Sequence, residues 1–468
     1  MAKKVARRGR RSQAPAVSAA RQRRQRRAVQ AQIAAQVAVV VQQAVETALE
    51  GEVTGLLGRE RYTRRRTAPP RVLGAACSRC GLDWTWRGYR DGHYPRTLLT
   101  LLAAVVVRVP RLRCCGGGTI PLGFATVGRY ARGWSDLQER ARELAGLCVS
   151  LADARTVLAW SNGQPVAAST LQAWDQQAAA VAEALRQGPL ERVPPVVLLD
   201  GLWLKLFVET GERFVDRQGR ARPRVRCERV VLLVAYGVDP VSGERWLVDW
   251  ERAPQEDQAS WQRLLERLQA RGLQSAAGFT LFVHDGGSGL DAALNEVSFG
   301  PGVLRQRCVF HVLRTVRDAV RGTAGMTREA KRARRREVLA AARTIWDTTE
   351  RETARRRFQQ FAAAWRAQEP DAVAALERAF EATLGYCTAV AWARERGETW
   401  APHYLRTTSA LERVNRALRQ KARQVGAFHA DEALAAAIAL VAAHRHLAPT
   451  VLPAGEWSDS LEEALLVA

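Results

Sequence analysis

Two stretches, PPVVLLD at residues 194–200 and FTLFVHD at residues 279–285, decide the reading of this chain. Each is a short apolar run that stops at an aspartate, the pattern of a strand buried on both faces that delivers one carboxylate to the edge of a sheet. Around them the period of the sequence changes in an orderly way. Residues 196–208, 229–238 and 245–250 are β-rich, 257–271 repeats its apolar positions at helical spacing, and 279–284 is again strand-like. A helix at 288–297 and a short strand near 303–308 follow, after which the pattern is almost wholly helical. Three strands, a helix and a strand predict an α/β core, with a helical insertion over 312–400 before a closing helical region at 401–448.

A third acid, Glu412, lies in RTTSALERVNRALRQK at residues 406–421. Two strand-borne aspartates and a helix-borne glutamate offer the oxygen donors that hard divalent cations take. A pair of such ions supplies the positioning and charge neutralisation that in-line phosphoryl transfer needs. Each acid also has a purely structural alternative: Asp200-Gly201 fits a type I′ hairpin turn, Asp285 with its glycines a loop, and Ser409 with Glu412 a capping box. Their joint order on one strand plan favours the metal-binding reading of Asp200, Asp285 and Glu412. On the helix of Glu412, Leu411, Val414, Leu418 and Val425 form an apolar stripe. Arg416, Arg419 and Arg423 share the neighbouring face and, with Lys421, are candidate contacts to DNA phosphates.

The composition agrees with a polyanionic partner. Lys and Arg number 71 against 47 Asp and Glu, a formal charge of +24, and nucleic acid is the first partner such a surplus suggests. Residues 305–366 alone hold seventeen Lys or Arg against six acids, which extends the basic character into the helical insertion. A hydrophobic content of 47% over 468 residues suits a globular chain of two or three domains. No stretch is expected to span a bilayer and no secretory signal is visible, so a cytoplasmic protein without a membrane partner is expected. Eight scattered cysteines with one C-x-x-C suit reduced thiols and a metal site better than a disulfide framework.

Upstream of the core, residues 1–27 carry eleven Lys or Arg and no acid, and read as a disordered basic arm. Residues 28–70 hold an amphipathic helix and a linker, with apolar positions at Ile33, Val37, Val40, Val41, Ala44, Val45 and Ala48. Residues 71–125 have the outline of a zinc ribbon: Cys77 and Cys80, a candidate hairpin, then adjacent Cys114 and Cys115 where a second C-x-x-C is the usual spacing. His93 is the nearest substitute for one of these ligands, and a ribbon that has lost its metal is the alternative. Residues 126–192 read as two short helices and a long one, in the order of a helix-turn-helix, which equally describes three-helix packing without DNA. Residues 449–468 form a C-terminal tail.

Four segments resemble, in order, the Mutator-like DDE transposases, whose bacterial members include the IS256-type insertion-sequence enzymes. QEDQASWQRLLERLQARGL at 255–273 is similar to that family's Trp-bearing helix, with Trp261 read as core. VHDGGSGLDAAL at 283–294 is similar to its second-aspartate segment, and QRCVFHVLRTV at 306–316 to its Cys-x-x-His signature, here Cys308 and His311. LRTTSALERVNRALRQKAR at 405–423 is similar to its closing helix. The resemblance covers about residues 195–440, and the amino-terminal half looks like related insertion-sequence transposases that join a zinc ribbon to this core.

The resemblance implies an RNase H-like core, its first part at 193–311, with an all-helical insertion, preceded by the zinc-ribbon-like segment and a small helical DNA-binding domain. It implies that Asp200, Asp285 and Glu412 bind two Mg2+ or Mn2+ ions, where water or a DNA 3′-hydroxyl attacks a phosphodiester at the end of an insertion sequence. Cys308 and His311 are implied to stand near that site. Double-stranded DNA with terminal inverted repeats, target DNA and a homodimer or larger synaptic assembly are the implied partners, in a bacterial cytoplasm on the nucleoid. The excursion ETGERFVDRQGRARPRVRCE at 209–228 lengthens the family's gap between the first two aspartates. A domesticated, inactive DNA-binding derivative and an RNase H-like nuclease without strand transfer are the competing readings.

Overall fold

The computed structural model describes residues 19–64, 88–113, 124–128, 133–273, 280–299, 303–322 and 325–445. The chain divides into two compact units, Met1–Ala141 with Ala152–Ala168, and Arg142–Leu151 with Ser169–Ala468.

In the first unit a long helix, α1 (Ala19–Leu57), backs an antiparallel hairpin of β1 (Tyr89–Leu99) and β2 (Ala104–Arg113). The helix begins inside the segment read as a disordered arm, and its buried stripe differs from the expected one. Ile33 and Val40 are exposed, whereas Val45, Leu49, Val53 and Leu57 pack with Leu98, Val105, Val107, Val109 and Leu112. Side chains four apart lie one above another on a helix, so this is the face the hairpin covers. Arg24–Leu57 is, against expectation, long and apolar enough to cross a membrane by length and composition. Its C-terminal half is nonetheless engaged with protein: Glu46 pairs with Arg108 at 2.7 Å, Glu50 with Arg90 at 2.7 Å, and Glu52 accepts the backbone N–H groups of Ala125 and Thr126. The zinc candidates Cys77, Cys80, Cys114 and Cys115 lie outside the described residues, save that β2 ends just before Cys114. His93, on β1, stands 3.3 Å from Arg61 Nη2.

Helices α2 (Ser135–Gly146), α3 (Leu151–Asn162) and α4 (Ala168–Gln187) form where three helices were expected. The division between the two units passes through them.

The second unit is built on β3 (Val196–Val215), β4 (Ala221–Val238), β5 (Arg245–Ala253), β6 (Thr280–His284) and β7 (Val303–Arg307), with α5 (Gln258–Ala270) and α6 (Ser288–Glu296) between the last three strands. They make one mixed sheet in the order β5-β4-β3-β6-β7, antiparallel across β5-β4-β3 and parallel across β3-β6-β7. Successive side chains of a strand face opposite ways. Val197 and Leu199 therefore join Phe282 in a core closed by Trp261, Leu264 and Leu268 of α5 and Leu290 and Leu294 of α6. Val196 and Leu198 join Leu281 and Val283 on the other face, closed by the C-terminal helices. Burial on both faces explains why these strands read as unbroken apolar runs. Beyond β7 the described residues are mainly helical: α7 (Val309–Ala319), α8 (Arg328–Arg343), α9 (Arg351–Trp365), α10 (Pro370–Ala379), α11 (Gly385–Glu395), α12 (Pro402–Arg406), α13 (Ser409–Val425) and α14 (Asp431–Arg445).

Asp200 does not close its strand. β3 continues to Val215 and pairs with β4 as far as Val215↔Ala221, so the excursion at 209–228 is the outer half of a hairpin and Asp200-Gly201 is no turn. The reversal comes at Asp216, which accepts the backbone N–H groups of Gln218 and Arg220 at 2.9 Å. Charged residues occupy both faces of this outer half and most of it is exposed, so no buried face marked it as strand in the sequence.

Candidate active site

The register of the parallel strands brings the two aspartates side by side. β3 and β6 pair from Val196↔Leu281 to Leu199↔His284, so the next residues along the two strands are Asp200 and Asp285. Asp285 is the first residue beyond β6 and accepts the Gly287 N–H at 3.0 Å. Asp200 accepts its neighbour Gly201 N–H at 2.9 Å on one oxygen and the Asn415 side-chain amide at 2.7 Å on the other. Both carboxylates are half-buried. Burial, and next the charges of Asp285 and Glu412, push Asp200 up to about 7, against the pull of His311 and the Asn415 hydrogen bond.

Asn415 and Glu412 are three residues apart on α13, hence on one face, and the bond from Asn415 turns that face toward β3. Asn415 itself lies within the expected apolar stripe, beside the buried Leu411, Val414 and Leu418, with Glu412 at its edge; Val425 departs from the stripe and is 42% exposed. Glu412 Oε1 lies 3.5 Å from Thr408 Oγ1 and 3.9 Å from His311 Nε2. Thr408, rather than Ser409, precedes the first turn, and its own N–H goes to Cys308 Sγ at 3.4 Å. Glu412 therefore does not close a capping box. The Thr408 hydroxyl also lies 3.4 Å from Cys308 Sγ.

Cys308 and His311 thus meet the helix of Glu412 from α7 and the residue before it. Cys308 is fully buried at the head of α7, where its N–H donates to His284 O at 2.6 Å. This ties α7 to the end of the strand that leads to Asp285. Burial lowers the proton affinity of His311, but the contact with Cys308 and the charges of Glu412 and Asp200 outweigh it and hold the imidazole up to about 9. His311 Nδ1 and Asn415 Oδ1 are buried with no hydrogen-bond partner. Among the described residues no three His, Cys, Asp or Glu side chains converge closely enough to enclose an ion as they stand.

Two charged side chains at this site were not singled out by the sequence. The Glu256 carboxylate covers Gly201: a Cβ added there would meet it at 2.7–2.8 Å. Burial, and next Asp285, raise its proton affinity. Arg307, the last residue of β7, covers Gly286 in the same way, its Cζ only 2.6 Å from where a Cβ would stand. The signal in the sequence was the repeated Asp-Gly of 200–201 and 285–286, a carboxylate followed by the one residue that leaves room for a neighbour.

Of the candidate DNA contacts, Arg416, Arg419 and Arg423 are exposed and have no ion-pair partner among the described residues. Lys421 is buried, 8% exposed, and its charge acts on Asp175 of α4. It is corrected from a phosphate contact to an interior charge.

Residues 83–448 match the family model described as "Transposase, Mutator family". The transposase for insertion sequence element IS406 of Burkholderia multivorans is 30% identical over 371 residues, spanning 76% of this chain and 82% of its own length. The transposase for insertion sequence element ISRM5 of Rhizobium meliloti is 26% identical over 359 residues, 77% of this chain and 79% of its own. Among solved structures, the Drosophila P element transposase strand transfer complex aligns over 70% of this chain and 79% of its own, at 10% identity and a TM-score of 0.28, too low to establish a shared fold.

Proposed function

The chain belongs to the Mutator family of transposases, and from that premise we propose that it is a DDE enzyme of the IS256 type. On this reading an RNase H-like core cleaves DNA and transfers strands at the terminal inverted repeats of an insertion sequence. Asp200, Asp285 and Glu412 are the proposed ligands of two divalent ions, magnesium or manganese. The observation that carries the reading is the β3-β6 register, which makes Asp200 and Asp285 neighbours, together with the 2.7 Å bond by which Asn415 turns the face of Glu412 toward them. The sheet order, three antiparallel strands followed by two parallel ones, supports the RNase H-like assignment.

The donor set fits a hard cation. Three carboxylates supply oxygen ligands of the kind magnesium takes, and the charges of Asp285 and Glu412 add to burial in raising the proton affinity of Asp200, the mark of carboxylates gathered at one place. Such ions, when bound, would neutralise the phosphate and activate the attacking hydroxyl. The protein's own share is positioning. Asn415 holds one oxygen of Asp200, the Gly287 N–H holds Asp285, and Thr408 and His311 border Glu412. Cys308 and His311 serve this arrangement rather than a zinc pair. The exposed arginines of α13 would follow the DNA backbone. Zinc at Cys77, Cys80, Cys114 and Cys115, double-stranded DNA as the partner, and an assembly of two or more copies that holds both ends complete the proposal.

The test is cleavage of a duplex carrying the element's end by the purified chain with magnesium. Asp200→Asn and Glu412→Gln are expected to lose cleavage by roughly a thousandfold or more while still binding the duplex. Either variant cutting as fast as its parent would overturn the assignment.

A further inference from the structure

We propose that Arg307 is a phosphate-binding residue of this site, gripping a DNA phosphodiester beside the bond that is cut; the proposal rests on the transposase reading above. Arg307 pairs with His284 across the parallel strands, which puts it one position from Asp285. Its guanidinium lies over the Cα of Gly286, with Cζ 2.6 Å and Nη2 2.9 Å from where a Cβ would stand. Gly286 holds a φ of +85°, a conformation that glycine alone adopts freely. Any other residue there would push the guanidinium aside.

Among the described residues, Arg307 differs from the arginines around it in having no polar partner. Arg267 and Arg271, on and just beyond α5, both reach Asp249 at 3.0 Å, and Arg305, two residues before Arg307, bonds Asn295 at 2.6 Å. The Arg307 Nε is buried with no hydrogen-bond partner, and no carboxylate among the described residues pairs with its guanidinium, although Asp285 is so near in the fold. A half-buried cation kept out of ion pairs next to a carboxylate cluster is suited to an anion that arrives from outside. The planar fork of a guanidinium matches two phosphate oxygens. A phosphodiester drawn toward three acids needs such a cation on its flank.

The experiment uses the full chain and a fluorescent duplex carrying the element's end, without divalent ions, so that binding is read apart from cleavage. Affinity is measured from about 50 to 300 mM salt. Arg307→Gln is expected to reduce the slope of log K against log salt by about 0.9, the share of one neutralised phosphate. Arg307→Lys keeps the slope but loses cleavage in magnesium, because an ammonium is a point charge without the fork. Gly286→Ala, which keeps the arginine but displaces its guanidinium, reproduces Arg307→Gln, and the double variant is no weaker than either single one. If Arg307→Gln binds with an unchanged slope and cleaves like its parent, the proposal is wrong. That failure leaves the carboxylates untouched, whereas cleavage by Asp200→Asn would sink the catalytic reading and leave the slope result standing.

Discussion

The side-chain amide of Asn415 donates to Asp200 at 2.7 Å, joining a helix near the end of the chain to the strand where the sheet begins. That bond satisfies one carboxylate oxygen without neutralising it. Asn415 is wholly buried, and its other polar atom, Oδ1, has no partner. Asn415→Asp would set a second carboxylate against the first, raising the proton affinity of Asp200 further. The expected outcome is a loss of cleavage of roughly 10–100-fold, the usual cost of removing a group that orients a metal ligand. Magnesium titration by calorimetry checks it. Unchanged magnesium affinity in Asn415→Asp would show that the bond only packs the helix.

A second prediction concerns pH. The proton affinity of Asp200 is raised to about 7 in the folded chain, so its contribution to stability is present in full below the ordinary carboxylate range and is lost as pH rises through 7. His311, raised to about 9, acts in the same direction over a higher window, from its ordinary value near 6.5 up through 9. Without divalent ions the melting temperature should therefore fall between about pH 4 and pH 9. Asp200→Asn removes the lower part of that fall and stabilises the metal-free chain at pH 8, by an amount on the order of 3 kcal/mol once partial solvent exposure is allowed for. A melting profile of Asp200→Asn that matches its parent across pH 4–8 would contradict it.

The part of this site that was legible in the sequence is the part written in local pattern. Val196–Leu199 and Leu281–His284 are apolar because both faces are buried, so the strands that precede the aspartates could be read directly. The extension of β3 past Asp200 could not, because Arg213, Arg222 and Arg224 are exposed and give the run no buried face. Interactions that join distant segments carry no local pattern at all: Asn415 with Asp200, Thr408 with Cys308 and Arg307 with Gly286 depend on how the sheet and the helices meet. Lys421 shows the reverse failure. Its position among arginines suggested a solvent-facing charge, and its burial follows from the rotation of α13 that brings Leu418 and Asn415 inward.

The thiol of Cys308 offers a third test. It accepts the Thr408 N–H at 3.4 Å and lies equally far from the Thr408 hydroxyl, so it fixes the residue from which the first turn of α13 departs. Cys308→Ala leaves a buried N–H without its acceptor, at a cost of about 1–3 kcal/mol. Cys308→Ser keeps an acceptor and should melt closer to the parent. The diagnostic result is a split: kcat for cleavage falls several-fold in Cys308→Ala while the affinity for duplex is unchanged, since Glu412 loses its setting but the exposed arginines proposed to meet DNA do not. A fall in affinity equal to the fall in kcat would point to general unfolding instead.

The basic residues of α13 separate by burial, and the last prediction uses that. Arg416, Arg419 and Arg423 are exposed, so replacing all three by Gln should leave the melting temperature nearly unchanged and reduce the salt slope of DNA binding by up to about 0.9 for each phosphate no longer neutralised. Lys421 should behave in the opposite way. Burial raises the proton affinity of Asp175 to about 6 even though the buried ammonium of Lys421, and next Arg142, pull it down. In Lys421→Gln that restraint is gone, and Asp175 is driven higher still. A raised carboxylate loses its stabilising contribution as pH rises through its folded value, so the variant should melt lower than its parent at pH 7–8 and approach it near pH 4. Its DNA salt slope should match the parent's. A lowered slope in Lys421→Gln, with no change in melting, would show that the lysine leaves its buried position to meet the DNA.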